Sequence, residues 1–315
     1  MLGRVSGALG TVLAFAALML PHAAAAKLYD SLPTQVRDTA EPLDLLVVIP
    51  QRGMRVQYMS EMNTGPVLNL DGPIGGLIAG MLARRERESL RRKGLAFEEP
   101  LAGFDIGALA MASVRAAFSD TSWLRAGDAR LATGQFTSSD LRVGQAVLTY
   151  EYSVEPSNAR VYVTCGLQIG GTDPATGWKA PNLRYSSVSE ASIEFDAGSL
   201  SKEQRLAMLS ANNGERLRRY LDEAFHDCAR LTLRRSQMSA EQVADIRKSK
   251  QIVITLRKSG TQLGGWVVDG AGNTTPGKYG LLGISKTFTA HDTSGVVLLG
   301  GYGLWHNRVD VLPPQ

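Results

Sequence analysis

Two stretches, residues 146–154 and 161–169, carry apolar side chains at every second position. Ala146, Leu148, Tyr150, Tyr152 and Val154 share one face of the first, and Val161, Val163, Cys165, Leu167 and Ile169 share one face of the second. A period of two is that of an extended strand, since successive side chains point to opposite faces. Between the runs stands Glu155-Pro156-Ser157-Asn158, a turn sequence. The pair therefore predicts an antiparallel hairpin with one apolar face to cover.

The flanking sequence supplies more strands and the cover. Leu43–Ile49 is an apolar, β-branched run stopped by Pro50, which reads as a buried strand. Residues 188–196 alternate again, with Ala191, Ile193 and Phe195 on one face. Residues 104–118 predict a helix with Phe104, Leu109, Val114, Ala117 and Phe118 as its apolar members. Ser201 with Gln204 three residues on is a capping box opening a long helix, and Leu217, Leu221, Ala224, Cys228 and Leu231 form its core-facing stripe. Asn212-Asn213-Gly214 is placed to break that helix in two. Ser239 with Gln242 opens another, over 239–248. Residues 119–139 read as a polar connection with weak strand signals.

From residue 251 the chain changes to short strands and glycine turns, with twelve glycines between 260 and 303. Strands are expected over 252–257, 266–269, 281–288 and 296–299. The fold expected is α+β. A mostly antiparallel sheet packs with helices over 27–250, and a β-rich C-terminal region occupies 251–315. The element order is similar to that of small α+β domains of envelope-associated proteins, without a shared motif, and such a likeness gives no function.

The first 26 residues are read as a leader and not as fold. Arg4 precedes an apolar run over 12–20, then come Pro21 and Ala24-Ala25-Ala26, the order of a secretory signal peptide cut near Ala26–Lys27. The run is too short to span a ~30 Å hydrocarbon core. No cysteine stands near the cut, so no lipid anchor is expected, and the expected location is periplasmic or secreted. The whole chain carries +4, and removing Arg4 with the leader leaves +3. In an exported protein that mild excess points to an anionic membrane surface or an envelope protein as partner, not to nucleic acid.

Both cysteines, Cys165 and Cys228, follow the leader. Each lies on the apolar face of its element, and an even count in an exported chain favours a disulfide over two separate buried thiols. Closing a loop of 62 intervening residues would stabilise by ~4 kcal/mol in the chain-entropy model.

Residues 72–93 combine three patterns. Ile74, Leu77, Ile78, Met81 and Leu82 make an apolar helical stripe. Gly72, Gly76 and Gly80 make a bare one. Arg84, Arg85, Arg87, Arg91, Arg92 and Lys93 follow, opposed only by Glu86 and Glu88. Interior helical glycines cost about 1 kcal/mol each relative to alanine, so the stripe calls for a close contact. Packing inside the fold, homo-oligomerisation, and a helix lying in a lipid interface all satisfy it. Gly72, Gly76, Gly80, Arg84, Arg85 and Arg87 are thus the candidate surface or lipid contacts.

Catalytic signals are weak. His226-Asp227-Cys228 are helix neighbours whose side chains diverge by about 100° per residue, so they do not converge on a metal or a nucleophile. His291-Asp292 sits in a turn, and Trp305-His306-Asn307 suits a surface contact or a strand cap. The sequence holds no G-x-S-x-G, H-E-x-x-H, P-loop, G-x-G-x-x-G or C-x-x-C, so no catalytic residue, metal ligand or cofactor is assigned. The function expected is non-enzymatic binding or assembly at a periplasmic membrane or protein surface. A secreted hydrolase, or a small-ligand carrier using Trp178 and Tyr185, is the alternative.

Overall fold

The computed structural model describes residues 31–38, 41–51, 53–56, 97, 100–133, 136, 140–155, 160–171, 182–196, 200–248, 251–255, 262–270, 287–288, 295–299 and 303–311. Residues 1–26, expected to form a leader, and residues 72–93 lie outside this set. The elements in chain order are α1 (Thr34–Arg37), β1 (Leu43–Ile49), β2 (Arg55–Val56), α2 (Ile106–Phe118), β3 (Leu124–Thr133), β4 (Gln145–Glu155), β5 (Arg160–Gly171), β6 (Asn182–Asp196), α3 (Lys202–Gln237), α4 (Ala240–Lys248), β7 (Gln251–Thr255), β8 (Gln262–Gly270), β9 (Thr287–Phe288), β10 (Val296–Leu299) and β11 (Leu304–Val311).

The fold is α+β. The strands form one mixed sheet in the order β3-β1-β4-β5-β6-β11-β10-β8-β7-β9, with β2 beside β4. Its longest ladders, β4–β5 and β5–β6, are antiparallel. The hairpin read from the alternation is the first of these, with Tyr150 opposite Cys165 and Val154 opposite Val161. Parallel pairs flank them: β1 with β3 and β4 on one side, β11 with β6 on the other. The C-terminal strands β7 to β11 belong to this same sheet. Through β11 they continue the sheet begun by β1.

Helices α2 and α3 cover one face. Leu148, Tyr150, Tyr152 and Val154 of β4, Val161, Val163, Cys165, Leu167 and Ile169 of β5, and Ala191, Ile193 and Phe195 of β6 are buried there. The α3 stripe Leu217, Leu221, Ala224, Cys228 and Leu231 is buried against them. The Ser201 cap is complete: Gln204 N–H donates to the serine hydroxyl and Ser201 N–H donates to the glutamine side chain. Helix α3 breaks where Asn-Asn-Gly stands. Ala211 is extended, and Asn212, Asn213 and Gly214 all take positive φ. Asparagine and glycine are the residues that adopt that conformation most readily.

Residues 119–139, read as a connection, contain β3. Its charged residues obscure the strand signal, because among the described strands β3 stands at the end of the sheet and is paired on one side. Arg125 donates to Asp44 of β1 at 2.8 Å across that edge. Such charges protect an edge strand against pairing with other chains.

Candidate functional site

Cys165 and Cys228 are joined, with Cα atoms 6.0 Å apart. Both are fully buried, and the bridge fastens α3 to the centre of the sheet. The neighbours of Cys228 diverge as helical geometry requires. His226 faces Asp222 on its own helix at 3.9 Å, while Asp227 points across to His306 on β11.

The Asp227–His306 contact is the first rung of a polar ladder between α3 and β11. Asp227 Oδ2 meets His306 Nδ1, and its other oxygen accepts from Arg230 at 3.0 Å. Arg308 donates to Glu223 at 2.8 Å. Asp310 accepts from Tyr220 at 2.5 Å and from Arg219 at 2.7 Å. The helix residues step back by about one turn as the strand residues step forward by two. A turn rises ~5.4 Å and two strand residues ~6.6–6.8 Å, so three rungs stay in reach before the mismatch accumulates. The aspartate fixes the imidazole through Nδ1 and leaves Nε2 for other work, the orienting half of a general base. Completing it would take a nucleophile. Among the described residues, no hydrogen bond to a hydroxyl or thiol completes His306. No group of three or more His, Cys, Asp or Glu side chains among them could hold a metal.

The opposite face of the sheet carries a second polar group, centred on the outer end of the β4–β5 hairpin. Arg160 is buried and donates through one nitrogen to Glu190 at 2.5 Å and to Ser192 at 2.9 Å. The Ser192 hydroxyl donates to the Asn307 side chain at 2.8 Å. The guanidinium also lies 5.4 Å from the Tyr162 ring centroid. Burial pushes the Tyr162 hydroxyl up to about 12, against the lowering effect of its hydrogen bond with Ser153. Through Arg160 Nη2, Ser192 and Asn307 this network ties β5, β6 and β11 together as they leave the helix-covered core, while Arg160 Nε stays buried without a partner.

A cavity of about 570 Å³ opens at the break in α3, lined by Met208, Ala211, Asn212, Glu215, Arg216 and Arg219. The Arg216 guanidinium lies over the Phe195 ring at 4.5 Å. Its Nη1 is buried and has no hydrogen-bond partner. The break is legible in the sequence and the cavity is not, because Phe195 and Asp310, which contact Arg216 and Arg219 of its lining, come from distant strands.

Tyr185 is wholly buried beside Ile169 on the helix-covered face, and burial raises its hydroxyl's pKa; it is a core residue and not a pocket wall. Trp305 and Asn307 lie in β11 on the face away from α3, and His306 lies on the face towards it. Gly72, Gly76, Gly80, Arg84, Arg85, Arg87, Trp178, His291 and Asp292 lie outside the described residues. The ladder was missed in sequence because its halves are about eighty residues apart. Its signal is present, however, as ionisable residues every second position in 306–310 and at helical spacing in 219–227.

Among the described residues, no helix is long and apolar enough to cross a membrane. Comparison with protein-family models, with curated proteins and with solved structures finds no match.

Proposed function

We propose that this chain is an exported, non-enzymatic envelope protein, cleaved next to Ala26, that binds or assembles at a periplasmic membrane or protein surface. The observation that carries the reading is the Cys165–Cys228 bridge. A structural disulfide between buried positions belongs to an oxidising compartment, since cytosolic thiols keep such pairs reduced. It agrees with the signal-like order of residues 1–26. The surface contact is assigned to Gly72, Gly76 and Gly80 with Arg84, Arg85 and Arg87, on the sequence pattern that joins a bare stripe, an apolar stripe and a basic cluster.

The test has two arms. Intact mass of protein recovered from the periplasm should begin at Lys27, and a mature chain still beginning at Met1 overturns export. Purified mature protein should float with phosphatidylglycerol-containing vesicles, and less so as salt shortens the Debye length below ~8–10 Å. Replacing Arg84, Arg85 and Arg87 by Gln should abolish flotation and leave the melting temperature unchanged. Flotation unaffected by the triple change removes the assigned contact. With no flotation of wild type, crosslinking in the intact envelope decides between a protein partner and no surface role.

The secreted hydrolase is favoured by one observation, the Asp227–His306 pair. An active hydrolase of this kind would label with a fluorophosphonate and lose the label on His306→Ala. Absence of labelling in the folded, oxidised protein retires that reading.

A further inference from the structure

We draw no further inference here: the strongest candidate, the apolar patch that Val188 of β6 and Val267 of β8 expose beside Trp305 of β11 on the sheet face away from α3, carries nothing because nothing in the structure shows what covers it.

Discussion

Cys165 in β5 and Cys228 in α3 meet across the sheet–helix interface with Cα atoms 6.0 Å apart, 63 positions apart in sequence. The bridge encloses the β5–β6 hairpin and the break in α3, so reduction frees both from one constraint. Alkylation of denatured, unreduced protein should leave both cysteines unlabelled. Replacing both by Ala should cost about 2–5 kcal/mol in chemical denaturation, most of it through the unfolded chain. Two labelled thiols in the unreduced sample would show that the sulfurs are merely neighbours.

Tyr150 and Phe225 stack beside that bridge, with ring centroids 4.9 Å apart and planes 18° from parallel. Both are fully buried, and the Tyr150 hydroxyl has no hydrogen-bond partner. The ring therefore contributes packing and the hydroxyl contributes a desolvation cost. Phe225→Ala should destabilise by about 3–5 kcal/mol. Tyr150→Phe should be neutral or slightly stabilising, because it deletes an unpaired polar atom and keeps the stack. A loss above about 1 kcal/mol for Tyr150→Phe in urea denaturation would mean that the hydroxyl is satisfied after all.

The contrast between these core residues and the polar ones explains what the sequence makes legible. Leu43–Ile49, the β4–β5 hairpin and the α3 stripe announce themselves because one-sided burial imposes a period of two or of 3.6 on the same residues that are buried. β3 is hidden because an edge strand tolerates Arg125, Asp128 and Arg130 in the open, and β11 because its helix-facing positions are His306, Arg308 and Asp310. Their partners are ions on another element, and ion pairing leaves no local periodicity of hydrophobicity. The same reasoning covers the cavity: Arg216 is visible in sequence only as one more charged residue on a basic helix, and its orphan donor exists only once Phe195 is placed beneath it.

The ladder between β11 and α3 should be graded by burial. Arg308 and Glu223 pair at 2.8 Å with side chains half and one-third exposed, so a double-mutant cycle should return no more than about 1 kcal/mol. Asp310 serves two donors, and Tyr220 beneath it is buried. Asp310→Ala should cost about 1–3 kcal/mol by leaving the Tyr220 hydroxyl unpaired. In a Tyr220→Phe background the same change should cost distinctly less. Equal costs in the two backgrounds would assign the loss to strand packing alone.

Alkaline unfolding follows from the buried tyrosines. Burial pushes Tyr162 up to about 12 and raises Tyr150, Tyr185 and Tyr220 as well. In the unfolded chain these phenols ionise near 10. Between pH 10 and about 12 the unfolded state therefore holds fewer protons than the folded state. Stability is at its full value below pH 10 and falls by up to about 1.4 kcal/mol per pH unit for each such group as the pH rises. Absorbance at the phenolate band should show some of the nine tyrosines titrating freely and these four appearing together with loss of the circular-dichroism signal. Smooth titration of all nine in a still-folded protein would contradict their burial.

Gly303 stands at the entry to β11, where a Cβ would run into the backbone carbonyl of Val188 on β6. The obstacle is backbone, so neither a rotamer change nor a flexible tip relieves it, and the strand would have to move away from its parallel neighbour. Gly303→Ala should cost about 1–3 kcal/mol, the range of overpacked sites. Gly166 in β5 is the control, since a Cβ there meets nothing within 4 Å. Gly166→Ala should be neutral or stabilising by a few tenths of a kcal/mol, because it only narrows the unfolded chain's freedom. Since β11 also carries the ladder to α3, Gly303→Ala should speed amide exchange in β10 and β11 before the β4–β5 hairpin is affected. Uniform exchange across all strands would instead mean that β11 is no weaker than the hairpin at the centre of the sheet.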